Sequence, residues 1–215
     1  MSERYYVDVA EPPATNTLLI LSLEEARHLV RVMRRKAGDR ITLFNGRGLE
    51  FESEIIATKR DRVEVRILGI LSEEGPVAVP LTLAVALPKG DRQKWMVEKL
   101  TELSVSRIIP LSTRYSQYGA DEAVLVRLRR QAVEAAKQCG RRRLPEMAAE
   151  QTFESLLRLT GHEAGHGEEM APLRLFAHPV RDGDVGQRFL KHYLKHCLDP
   201  DFFVRTTPAQ RKVVV

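Results

Sequence analysis

The chain has 215 residues, 34 Lys and Arg against 29 Asp and Glu, a net charge of +5 and 43% apolar residues. That length holds one large domain or two small ones with genuine cores, and the composition is that of a globular protein, not a disordered or fibrous one. No segment reaches the roughly 20 apolar residues of a membrane span, MSERYYVDVAEPP has no signal-peptide core, and Cys139 and Cys197 form no C-x-x-C pair. The expectation is a cytoplasmic chain without a disulfide framework or a membrane partner.

In chain order, the first 71 residues read as strands around one helix. YYVDV (5–9), RITLFN (40–45), LEFESEIIA (49–57) and RVEVRILGI (62–70) are rich in β-branched and aromatic residues with partial alternation. Asn45-Gly46 followed by Gly48 signals a hairpin. Ser22-Leu23-Glu24-Glu25 has capping-box spacing, Leu23, Ala26, Val30 and Met33 share a helical face, and Gly38 offers a stop. These elements predict a small, mostly antiparallel β-barrel with one helix. SEEGPVAVP (72–80) reads as a linker.

Beyond it the pattern changes. LTLAVAL (81–87) is an apolar run suited to a strand buried on both faces, and Asp91 is placed to cap a helix lined by Met96, Leu100 and Leu103. RIIPL (107–111) is the next strand, a long helix follows at 121–139, and LRLFAH (173–178) and RKVVV (211–215) are further strands. Strands alternating with helices at this spacing predict an α/β fold with a parallel sheet.

The charge is unevenly spread. Residues 27–40 hold Arg27, Arg31, Arg34, Arg35, Lys36 and Arg40 against Asp39 alone; residues 127–143 hold Arg127, Arg129, Arg130, Lys137, Arg141, Arg142 and Arg143 against Glu134 alone. Arg has a planar fork that matches phosphate, so both runs suit a nucleic-acid surface. Solvated helix faces would use the same residues.

Two metal-like patterns are weak. His162-Glu163-Ala164-Gly165-His166 matches H-E-x-x-H, but Gly161, Gly165, Gly167 and Pro172 make the tract a poor helix and a surface loop is expected. His192 and His196 stand four apart beside Cys197 with no third ligand at a familiar spacing, so no metal is assigned. G-x-G-x-x-G, Walker A and G-x-S-x-G are absent. ALPKGDRQKWMVEKLTELSV (86–105) is more informative, because it runs off a strand into a helix, where open α/β sheets place ligand sites. STRYSQYG (112–119) follows the next strand, and AVEAAKQCGRRRLPEM (132–147) ends a helix with an amide, an Arg triplet and a proline.

With RYYV (4–7), HLVRVMRRKAGDRITLFNGRGLEFESEI (28–55), IIPLSTRYSQ (108–117) and EAAKQCGRRRLPEM (134–147), these stretches resemble the RsmE family of ribosomal RNA methyltransferases. The resemblance implies a PUA-like RNA-binding β-barrel at 1–73, a linker at 74–80 and a SPOUT-type α/β-knot methyltransferase domain at 81–215. It implies S-adenosylmethionine-dependent methylation of uridine N3 in 16S (small-subunit) ribosomal RNA by a homodimer. On the matching positions it implies catalytic roles for Arg92, Glu98 and Glu102. It implies RNA contact by Arg4, Arg34, Lys89, Lys99, Arg114, Ser116, Gln138 and Arg141, with Pro145 in the same motif as the last two. The family's Ile-Gly-Pro-Glu-Gly-Gly loop and Leu-Gly…Ile-Leu-Arg segment, which form the cofactor-binding knot, do not occur, and 160–210 matches poorly. The expectation is therefore a domain incomplete at its C-terminal end, with cofactor-binding residues beyond Val215. The alternative is a non-catalytic RNA-binding protein that keeps the barrel and the basic helices.

Overall fold

The computed structural model describes residues 4–114, 116, 119–162, 173–174 and 213–214. It divides into two compact units that do not follow chain order: Met1–Pro76, Gly90–Ser104 and Val126–Pro145 form the first, and Val77–Lys89, Val105–Leu125 and Glu146–Val215 the second.

The first unit is built on a five-stranded sheet in the order β1-β3-β4-β5-β2, comprising β1 (Arg4–Tyr6), β2 (Leu18–Ile20), β3 (Arg40–Phe44), β4 (Leu49–Lys59) and β5 (Arg62–Glu73). All its pairings are antiparallel except β1 with β3. Three register shifts between β4 and β5 bend these long strands, as bulges do. Alternate residues then face inward, so Leu43, Phe51, Ile55, Val63, Val65 and Ile67 are sealed in one core with Tyr5, Ala26 and Leu29. The three-residue β2 escaped the sequence reading, being too short for a period to show.

The helix begins where Ser22 predicts: its hydroxyl accepts from the Glu25 amide at 3.3 Å, opening α1 (Leu23–Arg27). Of the predicted face, Ala26 is buried and Val30 and Met33 pack against the core, whereas Leu23 is exposed. After Arg27 the backbone widens into a π-helical turn over His28–Val32, which shifts the register and brings Leu29 into the core as well. The stop also differs: Arg34, at φ 53°, adopts the left-handed conformation that ends the helix, several residues before Gly38.

The hairpin signal at 45–48 is borne out. The Asn45 side-chain oxygen accepts from the amides of Arg47 and Leu49 at 2.9 and 3.1 Å, while Gly46 (φ 69°) and Gly48 (φ 109°) take left-handed conformations.

The first unit also contains α2 (Asp91–Glu102) and, from Val126 onward, α3 (Glu122–Cys139). Asp91 does not cap α2. The cap position belongs to Gly90, at φ 61°, whose carbonyl accepts from the Gln93 amide at 3.0 Å. The buried seam of α2 is Gln93, Val97 and Thr101, four apart, so Leu103 is left 72% exposed and Trp95 63%. A buried ion pair ties α3 to α1. Lys137 Nζ donates to both Glu25 carboxylate oxygens at 3.0 and 3.1 Å, and both side chains are only 5% exposed. Glu25 thus turns to Lys137 and does not complete the reciprocal half of the capping box.

The second unit carries the expected parallel sheet, in the order β10-β11-β6-β7-β8 with β9 beside β7. Its strands are β6 (Leu81–Val85), β7 (Arg107–Ser112), β8 (Glu146–Met147), β9 (Gln151–Thr152), β10 (Leu173–Arg174) and β11 (Val213–Val214). β7 is the buried strand, through Ile108 and Ile109, whereas β6 is half-buried along its length. Asp121 precedes α3 and its carboxylate accepts from the Val124 amide at 2.8 Å. An unpredicted helix, α4 (Phe153–His162), follows β9, and its signal was present: the Thr152 hydroxyl accepts from the Ser155 amide at 3.1 Å ahead of Leu156 and Leu157. The helix takes in Gly161 and His162 where the sequence suggested a loop. Glu163, His166, His192, His196 and Cys197 lie outside the described residues. Among those described, no helix is long and apolar enough to cross a membrane.

Candidate functional site

The predicted site residues fall in both units. In the first, α2 places Glu98, Lys99 and Glu102 together on its outer side, since positions three and four apart share a helix face. Lys99 Nζ donates to Glu98 at 3.0 Å and to both oxygens of Glu102 at 2.9 and 3.0 Å. These hydrogen bonds, first that to Glu102 and then that to Glu98, raise the Lys99 pKa, so its ammonium is retained. All three side chains are more than a third exposed, open to a ligand and screened by water.

Beside them, α2, α3 and Glu24 enclose a groove of about 550 Å³ lined by Lys94, Glu98, Glu102, Arg130, Gln131 and Gln138, among others. Its charges are largely matched within the fold. Arg127 donates to Gln93 at 2.7 Å, Arg130 lies 3.9 Å from Glu24, and Lys137 holds Glu134 at 2.9 Å. Its lining is charged and amide side chains with Ala135, and holds no aromatic ring to sandwich an adenine.

The two basic runs differ in availability. Within 27–40, Arg27 and Arg31 converge on Asp61 at 2.8 and 3.3 Å, and Arg40 pairs with Glu52 at 2.8 Å. The hydrogen bond from Arg27 holds the Asp61 carboxyl below its ordinary range. Arg34 and Lys36 are exposed, and neither side chain has a partner among the described residues. The same holds for Arg92, in the first turn of α2.

In contrast, Arg4 and the 141–143 triplet are engaged. Arg4 donates to the carbonyls of Ala136 and Arg141 at 3.0 Å each, pairs with Glu50 at 2.6 Å and stacks 4.7 Å above the Phe44 ring. Arg141 donates to the Glu102 carbonyl at 3.0 Å. Arg142 bonds Glu50 at 2.7 Å, and Arg143 donates to the carbonyls of Glu74 and Gly75 at 2.7 and 3.0 Å. Sequence reasoning named Arg4 and Arg141 for RNA contact. Backbone carbonyls, which leave no sequence signature, take two donors of Arg4 and one of Arg141.

In the second unit, β6 and β7 are adjacent and parallel, with Val85 opposite Pro110, so the loops bearing Lys89 and Arg114 leave the same carboxyl edge. Ser116 closes the second loop: its hydroxyl accepts from the Thr113 amide at 2.9 Å and donates to the Leu111 carbonyl at 3.2 Å. That hydroxyl therefore shapes the loop.

Two family models match the chain: an RNA methyltransferase domain over residues 74–191 and an RNA methyltransferase PUA domain over 21–68. The chain belongs to this family of RNA methyltransferases. The RsmE resemblance is borne out by curated relatives named ribosomal RNA small subunit methyltransferase E. The Bacillus subtilis protein is 28% identical over 160 residues, covering 72% of this chain and 62% of the relative. That of Synechocystis is 30% identical over 149 residues, covering 69% and 48%. The chain thus spans between about half and three fifths of the length of these relatives. Among solved structures, a Legionella pneumophila methyltransferase in complex with the bound cofactor SAM matches with a TM-score of 0.73 and 26% identity, over 100% of this chain and 79% of that one. A Neisseria gonorrhoeae ribosomal RNA small subunit methyltransferase E, bound to S-adenosyl methionine, shares the fold at a TM-score of 0.67 and 21% identity, with the same two coverages.

Proposed function

We propose that the chain acts in the cytoplasm, as a homodimer, to transfer a methyl group from S-adenosylmethionine to N3 of a uridine in 16S (small-subunit) ribosomal RNA. The methyltransferase-domain match over 74–191 carries this reading. In it, residues 1–73 form the RNA-binding barrel, 74–80 the linker and 81–215 the methyltransferase domain.

When bound, S-adenosylmethionine supplies an electrophilic methyl group on a sulfonium centre. The charge-lined groove beside α2, with no aromatic ring in its lining, does not fit it. No described residue is therefore assigned to the cofactor, and Lys89, Arg114 and Ser116, on the loops at the carboxyl edge of β6 and β7, are assigned to the substrate RNA.

The chain's own residues have separable tasks. Uracil N3 must lose its proton before it can act as a nucleophile. Glu98 and Glu102, kept beside the Lys99 ammonium, are carboxylates within reach of one another, and either can accept that proton. Lys99 then faces the negative charge that spreads onto the uracil oxygens, the electrostatic help most valuable to such a step. Arg34, Lys36 and Arg92 have donors to offer phosphate. Gln138, exposed on the rim of the groove, can meet the RNA as an amide. Arg4 and Arg141, whose donors go to carbonyls, hold the frame.

The test is incubation with labelled S-adenosylmethionine and small-subunit rRNA, followed by nucleoside mass spectrometry. The expected product is 3-methyluridine. RNA binding without cofactor binding or product would favour the non-catalytic RNA-binding alternative. Binding of neither would overturn both.

A further inference from the structure

The segment after α3 and the β3–β4 turn meet in a way the charge pattern does not suggest. The Gly48 amide donates to the Arg142 carbonyl at 3.1 Å and the Leu144 amide to the Gly46 carbonyl at 2.9 Å, with Arg47 and Arg143 forming an antiparallel bridge between them. Both glycines are required by space as well as by φ. A Cβ on Gly46 would stand 2.6 Å from the Leu144 side chain, and one on Gly48 would stand 2.5 Å from the Glu74 carbonyl.

Around this miniature ladder sits a charged clasp. Glu50 is 11% exposed and receives Arg4 on one oxygen at 2.6 Å and Arg142 on the other at 2.7 Å. The hydrogen bond that Arg142 donates to Glu50 raises the Arg142 pKa. Arg4 also grips the Ala136 and Arg141 carbonyls, and Arg141 reaches the Glu102 carbonyl at the end of α2. A continuous chain of hydrogen bonds therefore runs from β4 through Glu50, Arg4 and Arg141 to the helix bearing Glu98, Lys99 and Glu102.

We propose that the 45–48 turn and residues 141–144 form a joint, with Glu50 at its centre, that fixes the RNA-holding sheet against α2, so that Glu50 and Arg142 are positioning residues and the arginine triplet is withdrawn from RNA. The proposal rests on the functional reading above. It assigns the second basic run a mechanical task that a phosphate-binding surface would not need. A glycine whose Cβ would meet a backbone carbonyl, a second held at positive φ against Leu144, and three arginines each with a specific acceptor are the construction of a fixed contact.

The sign of one substitution separates the two uses of these charges. Glu50→Gln removes a negative charge, so simple electrostatics makes the chain bind RNA more tightly. The joint requires the opposite: in the full 215-residue chain, affinity for a small-subunit rRNA transcript falls roughly 2- to 30-fold, the range for residues that couple distant sites. The slope of log K against log salt stays unchanged. Arg142→Gln gives the same loss and the same slope, the double variant is no worse than either single one, and Arg142→Lys restores most of the affinity.

Amide exchange reads the joint without RNA. In Glu50→Gln the Gly48 and Leu144 amides exchange faster, while the Ile67 amide, bonded to the Thr17 carbonyl at 3.0 Å, keeps its protection. Equal or tighter RNA binding by Glu50→Gln, a slope reduced by about one in Arg142→Gln, or loss of Ile67 protection together with Gly48 would each overturn the proposal. A wild-type chain that binds no RNA would instead overturn the functional reading, with the exchange pattern still deciding whether the joint exists.

Discussion

Residues 27–40 and 127–143 carry comparable runs of arginine and lysine, each with a single acidic residue. In the first run Arg34 and Lys36 end exposed and without partners among the described residues, on a turn that a left-handed Arg34 closes. In the second, Lys137 is buried between Glu25 and Glu134, and Arg141, Arg142 and Arg143 each hold a named acceptor. The difference teaches that charge density marks where cations are, whereas availability depends on which acceptors the fold brings to them. A guanidinium bonded to a backbone carbonyl or carboxylate has fewer donors left for phosphate.

The contrast can be broken most forcefully at Lys137. Glu25→Ala leaves that ammonium without its buried counter-charge and with only the exposed Glu134, and urea unfolding should show a loss of about 3 kcal/mol. A loss below 1 kcal/mol would mean that the pair is more solvated than its 5% exposure implies. Gly48→Ala comes next, at about 1–3 kcal/mol, because the new methyl meets a backbone carbonyl in a left-handed conformation.

A smaller effect should appear at alkaline pH. Burial lowers the Lys137 pKa, but Glu25 and Glu134 together outweigh it, and the net value is raised above the ordinary 10.5. A raised lysine contributes stability in full below its unfolded value and loses it as pH rises through the folded one. The wild-type chain should therefore lose stability more steeply above about pH 10 than a Glu25→Gln/Lys137→Met variant. Parallel profiles would contradict the assignment. Arg34→Gln, by contrast, should leave thermal stability within about 0.5 kcal/mol of wild type, the range for a surface residue without partners.

Much of this fold was legible from residue patterns. Alternation gave β3, β4 and β5, Asn45-Gly46 gave the hairpin, and the change to strand–helix alternation after residue 80 gave the parallel sheet. What escaped was set by tertiary partners or by length. The π turn at His28–Val32 changes the helix period, so a 3.6-residue reading passed over Leu29. Gln93 and Thr101 form the buried seam of α2 because Gln93 meets Arg127 and Thr101 returns its hydroxyl to the Val97 carbonyl at 2.8 Å, bonds that no hydropathy pattern displays. The grouping of Glu98, Lys99 and Glu102 was accessible from helical spacing. The engagement of Arg4 with residues more than 130 positions away was not.

The central claim is that the cations offered to small-subunit RNA are those of the first run and not those of 141–143. Salt dependence of binding to that RNA measures it directly, comparing wild type with Arg34→Gln/Lys36→Gln and with Arg141→Gln/Arg143→Gln. Each lost phosphate contact lowers the slope by about 0.7–0.9, so the account predicts a slope reduced by nearly two in the first double variant and unchanged in the second. The reverse pattern, with the slope falling only in Arg141→Gln/Arg143→Gln, would contradict it.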